Sequence, residues 1–421
     1  MKNAPTPPLA GSRRFTVILL LGLLSAIGPF SIDMYLPGFP AIAADLHTSV
    51  DAVSYSLSSF FAGICIGQLA CGPLLDRFGR KKPLYTGLVL YVLSSIGCAL
   101  ATSIEVLIVF RLLQAFGGCV GMVAPRAIVR DLFPLRENAK IFSLLILVLG
   151  VSPIIAPTAG SYIIAHFGWH TVFGVLTVMG LLILIAVIFL LPESKQPDPN
   201  FSLRPPVILR SFASVMREPQ FYTYALSGGI VSAGLFAYLS GSPFVFMELY
   251  GLSEQEYGWI FALIAAGLIA SSQLNNLLLK KWSSEKIIMV TLWLQTAVGL
   301  VFVAGTVLGL FGLTGAIICI FIFLSCQGFS FPNSSALSMA PFTKEAGSAS
   351  ALMGAMQMAL GAMASAAVGL LNNGTAVPLA GVMASCAVGA LLVLFLGRRQ
   401  IRYRARKAEL EVQKLELMER V

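Results

Sequence analysis

Charge is what this chain has least of. Only 11% of its residues are Asp, Glu, Lys or Arg, against about 25% in soluble domains. Its three histidines, His47, His166 and His170, fall at the ends of apolar segments and give no proton wire or metal spacing within them. The seven cysteines have no C-x-x-C partner and all lie inside apolar stretches, so they read as small hydrophobic residues and not as disulfides or metal ligands. The apolar segments hold no cluster of acid, base and metal ligands, which argues against a membrane enzyme. They also lack the rings of charge or carbonyl filter of a channel.

What remains is apolar. Hydrophobic residues make up 57% of the chain, and stretches of about 20 residues, each long enough to cross a bilayer, recur along it. The first is longer than the core of a signal peptide and many others follow, so it is read as a span. Twelve spans are expected near 15–36, 52–75, 83–101, 105–126, 139–164, 169–191, 220–247, 255–279, 286–309, 312–332, 348–371 and 375–397. The links after Leu36, Ala101, Ala165, Glu248, Leu310 and Asn372 carry no Lys or Arg, while the tails and the other links are basic. This asymmetry places both termini in the cytoplasm and accounts for the net charge of +9 without a nucleic acid partner.

The polar, Pro-rich link 192–219 divides the chain into two six-span halves, 15–191 and 220–397, between a short tail 1–14 and a basic tail 398–421. "GPLLDRFGRKK" after span two and "NLLLKKWSSEK" after span eight are faint copies of each other, as two related halves require. The last tail is expected to form a short helix on the anionic inner leaflet, with a partner coiled coil as the other possibility. The expected fold is an all-α polytopic membrane protein of twelve helices in two pseudo-symmetric halves.

Three motifs stand out. In "GPLLDRFGRKKPL" the glycines Gly72 and Gly79 suit a tight link, Asp76 can face the positive end of a helix, and Arg77, Arg80 and Lys81 can hold the inner leaflet. Arg111, Gln114, Gly118, Gly121 and Pro125 share one helix face of polar and small residues, and a guanidinium there needs a partner. "SPIIAPTAGS" offers Pro157 and Gly160 for close helix packing. Finally, Asp33 is the one acidic residue well inside a span, at a depth similar to that of Arg111 on the antiparallel span four. A carboxylate at the centre of a membrane helix costs roughly 2.5–3.5 kcal/mol on insertion scales. Asp33 and Arg111 are therefore read as a pair that couples transport to protons, with a static ion pair as the plainer alternative.

The first motif matches position for position the loop signature of the major facilitator superfamily, and the other two resemble its fourth-helix and antiporter motifs, although Ala156 and Ser161 stand where glycines are usual. With "SIDMYLPGFP", "RAIVRDLFP", "SGSPFVF" and "GSASALMG", the chain resembles the bicyclomycin-resistance (Bcr/CflA) group of bacterial drug:proton antiporters over all twelve spans. The resemblance implies a bacterial inner-membrane exporter of small amphiphilic drugs, of bicyclomycin, phenicol or sulfonamide type, using protons as coupling ion and no other cofactor. It also implies that Asp131 joins Asp76, Arg77 and Arg80 in an inner charge cluster, and that the helix end at Gly347 and Ser348 is what Asp76 faces. Tyr35, Gln114, Tyr238, Phe244 and Gln357 are the candidate substrate contacts, since midplane cavities are lined by such residues. The expected partners are a small molecule and membrane lipid, around a monomer. A same-fold transporter of a cellular metabolite, such as a cysteine-like amino acid, is the alternative.

Overall fold

The computed structural model describes residues 11–133, 135–198, 205–342 and 346–419. Among these, every regular element is helical. The amino-terminal half contains α1 (Gly11–Asp33), the short α2 (Phe39–Asp45), α3 (Val50–Phe78), α4 (Lys81–Ala99), α5 (Ile104–Leu132), α6 (Leu135–Phe167) and α7 (Trp169–Leu190). A linker helix, α8 (Pro205–Met216), leads to α9 (Pro219–Pro243), α10 (Glu254–Leu278), α11 (Ser284–Val307), α12 (Leu313–Met339), α13 (Ala346–Leu370) and α14 (Val377–Glu419). Serines set several of the helix starts: Ser49, Ser103, Ser253 and Ser283 each accept a backbone N–H of the first turn, and Ser253 with Glu256 forms a full capping box.

Ten helices are long and apolar enough to cross a membrane among the described residues. The other two expected spans correspond to α4, only 19 residues and opening on two lysines, and to the 33-residue α6. Within the first half α3 packs on α5, α4 on α5 and α7, and α1 on α5 and α6; within the second, α9 packs on α12, α13 and α14. The halves meet along two symmetric seams, α3 against α13 and α6 against α10. The chain is a multi-pass membrane protein whose lateral surface is studded with exposed Leu, Val, Ile and Phe.

Three expectations need correction. Span one does not run helically to residue 36: α1 stops at Asp33, a 3-10 turn with Pro37 at its start follows, and α2 then leads to α3. The central link, read as a loop between the halves, contains the helix α8. Its "PPVILRSFASVM" opens on two prolines at a helix start, where a missing N–H costs nothing, and Val215 packs beside Phe221, Ala225 and Ala349. The basic tail is not a separate helix lying on the leaflet but the continuation of α14, 43 residues in one rod. No proline interrupts Gly397 to Glu419, and Arg, Ala, Lys, Glu and Leu are all strong helix formers.

The approach of α6 to the end of α1 is close enough to demand a glycine. A Cβ on Gly160 would overlap the carbonyl of Met34, the residue after Asp33. Gly160→Ala is therefore expected to lower unfolding stability by about 1–3 kcal/mol through overpacking. Gly22→Ala on α1, whose added methyl would meet only Val148 at 3.4 Å, is expected to be neutral or mildly stabilising. Thermal unfolding in detergent compares the two, and equal midpoints would contradict this packing.

Candidate functional site

Two faces of the bundle differ in character. One, the basic face, joins the C-terminal ends of α3 and α5, the link from α7, and the meeting point of α11 and α14, where Arg398 pairs with Glu285 at 3.3 Å. The other holds the starts of α3 and α7 and the α13–α14 link. The candidate residues fall into a cluster at the basic face and a polar core within the amino-terminal half.

At the basic face the α3–α4 link is Gly79 and Arg80 alone. Gly79 has φ +81°, and a Cβ on it would crowd the Lys195 carbonyl oxygen at 2.9 Å, so both conformation and space call for glycine. Gly72 serves no such turn: the helix continues through it to Phe78, and its Cβ position is open. Arg80 is nearly buried. Its Nε donates to Asp131 Oδ2 at 2.7 Å and its Nη1 to Asp76 Oδ1 at 3.3 Å and to the Leu75 carbonyl. Asp76, Arg80 and Asp131 therefore do form one cluster, all on the amino-terminal half.

The start of the central link completes it. Glu193 accepts the backbone N–H of Arg80 at 2.8 Å and of Lys81 at 3.2 Å, placing a carboxylate on the first turn of α4, where the helix dipole favours it. Ser194 donates to Asp131, Lys195 reaches Asp76 Oδ1 at 2.6 Å, and Arg77 Nη1 donates to the Asp198 carbonyl. The partners found for Asp76 are thus Arg80 and Lys195, whereas Ser348 at the start of α13 bonds Ser211 of α8 at 2.9 Å. Glu193 escaped sequence reasoning because a backbone N–H partner leaves no trace in residue identity, and Lys195 because its partner Asp76 lies 119 residues earlier in the chain.

The polar core is built around Arg111, fully buried on α5. Its carbon Cζ lies 4.2 Å from the Tyr35 ring centroid, 4.1 Å from that of Phe60 and 5.8 Å from that of Phe173. Nη1 donates to Gln114 Oε1 at 2.7 Å, and Gln114 Nε2 donates to Ser95 at 2.8 Å. Ser95 in turn bonds the Tyr91 carbonyl, and the Tyr91 hydroxyl lies 2.7 Å from Ser31 on α1. Each desolvated cation–π contact is worth about 2 kcal/mol, and removing an ion from water costs several. The cage offsets much of that cost, yet Nε and Nη2 of Arg111 have no hydrogen-bond partner.

Asp33 does not supply that partner. The expected Asp33–Arg111 ion pair is not formed: the guanidinium turns into its aromatic cage, and among the described residues no hydrogen bond or ion pair reaches the buried Asp33 carboxyl. Asp33 closes α1 at the end where the helix dipole is least hospitable to an anion. It lies within electrostatic reach of Tyr238 on α9 and Tyr257 on α10, both on the opposite half. The buried Tyr238 hydroxyl is unpartnered, while that of Tyr257 sits 3.0 Å from Ser242.

The five candidate substrate contacts do not converge on one pocket. Tyr35 and Gln114 belong to the Arg111 cage, and Tyr238 stands across the interface near Asp33. Phe244 begins a π-helical turn and lines a cleft at the face opposite the basic one, and Gln357 lines a separate small cleft with Tyr224 and Phe331. Pro157 and Gly160 lie at α6 contacts, with Gly160 on Met34 and the Pro157 carbonyl 3.7 Å from the Cβ position of Gly258 on α10. The spacing Ser31/Tyr35 and Tyr91/Ser95, each i, i+4, was the available signal for the network. Phe60 and Phe173 gave none, being apolar residues in apolar runs.

The model of the Major Facilitator Superfamily matches residues 21–366. The chain is 37% identical over 392 residues to YdgK, an uncharacterized MFS-type transporter of Bacillus subtilis, covering 91% of this chain and 96% of the relative. It is 31% identical over 391 residues to a bicyclomycin resistance protein homolog of Haemophilus influenzae, with 93% and 98% covered. A multidrug resistance protein of Escherichia coli, MdtL, is 30% identical over 372 residues, with 87% and 91% covered. Among solved structures, a D-xylose-proton symporter superposes with a TM-score of 0.71 at 15% identity over 91% of this chain and 97% of that one, a likeness of fold.

The basic-face cluster predicts unequal costs. Arg80→Ala strands Asp131 beside a nearly buried site and is expected to cost about 3 kcal/mol. Lys195→Ala removes a partly exposed ion pair and is expected to cost less than about 1 kcal/mol. Unfolding midpoints of the two variants in detergent decide this, and a Lys195→Ala loss as large as that of Arg80→Ala would contradict it.

Proposed function

The chain belongs to the major facilitator superfamily, and from that premise we propose that it is a proton-coupled antiporter exporting small amphiphilic drugs across the bacterial inner membrane. It is a transporter and not an enzyme. The observation that carries the coupling is Asp33: a buried carboxyl at a helix end, without an ion-pair partner among the described residues and within electrostatic reach of Tyr238 and Tyr257 on the other half. The names of relatives from H. influenzae and E. coli support drugs as the cargo. The basic links and tails support a cytoplasmic basic face with both termini there, and in this reading the protein works as a monomer.

In this reading Asp33 changes its proton content as the halves move. An enclosed carboxyl group lacking a cation or donor is stable as the neutral acid, and hydration or a positive neighbour is what lets it ionise. Access from the cytoplasm brings in drug and lets the proton leave; access from outside reloads it. Arg111, poised in its ring cage with two unmet donors, is the positive neighbour available to the ionised form. The same unmet donors favour a second reading, in which a carboxylate-bearing metabolite such as an amino acid is the cargo and drug efflux is incidental.

Inside-out vesicles energised to an acidic interior separate these readings. Bicyclomycin, chloramphenicol, florfenicol or cysteine is added in turn while a pH-sensitive dye follows proton release from the lumen. Wild type is expected to release protons with at least one of the three drugs, and Asp33→Asn to release none. Equal release by both proteins would remove Asp33 from the coupling path. Release with cysteine alone would favour the metabolite reading.

A further inference from the structure

At the face opposite the basic one, the two halves are joined along a seam of polar and small residues. Asn372, in the link between α13 and α14, donates through Nδ2 to both carboxylate oxygens of Asp51, each at 2.7 Å. Its Oδ1 is taken by the backbone N–H of Gly374 at 3.1 Å, which fixes the amide with its donors towards Asp51. One turn deeper a Cβ on Gly369 would lie 2.8 Å from Ser54 Oγ and 3.2 Å from the Tyr55 ring. Deeper still the hydroxyls of Ser58 and Ser365 are 2.7 Å apart and buried. Residues 51, 54 and 58 of α3 thus oppose 372, 369 and 365, an antiparallel register with helical spacing.

The end of this seam has a use that the coupling site does not supply. The Asp51 carboxylate, one of the few charges at this face, is held by an amide from the other half. A charge-assisted hydrogen bond is about twice as strong as a neutral one, and this one crosses the only kind of boundary that alternating access must open. Beside it lies a small cleft walled by Val50, Ser54, Phe244, Val368 and Leu379, with Asp51 and Asn372 at its rim. Phe244 there begins the π-helical turn after Pro243, an irregular stretch suited to repacking.

We propose that Asp51 and Asn372 form the latch that closes the outer end of the transport path. The proposal rests on the transporter reading and on the cytoplasmic placing of the basic face. Separation of the halves at this end breaks the two Asn372–Asp51 bonds first and the Ser58–Ser365 contact last. Asp51 and Asn372 are positioning residues, acting on which face is open and not on the cargo or the proton.

The test uses Ser54→Cys, buried behind the latch, and its rate of reaction with a membrane-impermeant maleimide on intact cells; protein with native Ser54 supplies the background from the native cysteines. In the Ser54→Cys protein, adding Asn372→Ala or Asp51→Ala is expected to raise that rate about ten- to a hundredfold, the scale of a lost hydrogen bond to a charged group. The exchange Asp51→Asn with Asn372→Asp rebuilds the same bonds with the charge moved across, and is expected to return the rate to that of Ser54→Cys alone. A rate unchanged by the single variants overturns the latch. A rise that the exchange does not reverse also overturns it, since loss of local packing would then be the cause. Labelling obtained only in inside-out vesicles overturns the assigned orientation, and the same comparison made in those vesicles still decides the latch. None of these measurements needs a substrate, so failure of the drug reading is distinguishable.

Discussion

A guanidinium and a carboxyl group, both out of water and not paired with each other, are the constraint around which the amino-terminal half is arranged. Arg111 takes three aromatic rings, a glutamine of its own helix and a chain of hydroxyls to hold it on α5, and the rings and hydroxyls come from α1, the turn after it, α3, α4 and α7. Satisfying one charge therefore ties together most of the bundle. Asp33 receives no such provision among the described residues, and it lies within electrostatic reach of Tyr238 and Tyr257 on the other half. A group left expensive at an interface that must open and close is well placed to register the opening.

The two faces hold their charges differently. At the basic face Asp76, Arg80 and Asp131 are satisfied within one half and by the link that follows it, so the cluster stiffens that half as a body. At the other face the Asp51–Asn372 bonds run between halves. Two rigid bodies with a hydrogen-bonded seam at one end are the elements that rocking about a fixed central site requires. The glycine contact of Gly160 with Met34 matters in the same way, because it anchors the turn carrying Asp33 to α6, which itself lies along the seam with α10.

How much of this was legible in the sequence depended on the kind of physics involved. Span number, division into halves and the basic asymmetry are written in composition and hydropathy, and Asp33, Arg111 and Asp76 announce themselves as charges where charge is scarce. The Arg80–Asp131 contact followed from a family pattern. The failures are geometric. Two charges at one depth do not have to face each other: Asp33 lies within electrostatic reach of Tyr238, while Arg111 lies over Phe60. Glu193 caps backbone groups, Phe60 and Phe173 are indistinguishable from packing residues, and Gly72 looked like a turn residue although the helix runs through it. Continuation of α14 into the tail was readable from helix propensity but competed with the equally sound expectation of a leaflet-bound segment.

The claim on which the account turns is that Asp33 exchanges its proton when cargo binds. Purified protein in weakly buffered detergent solution tests it directly, with a compound shown to be transported added while the pH is recorded. Wild type is expected to release protons in proportion to compound bound, and Asp33→Asn to bind it with no release. Binding without proton release by wild type, or equal release by both proteins, would contradict the account.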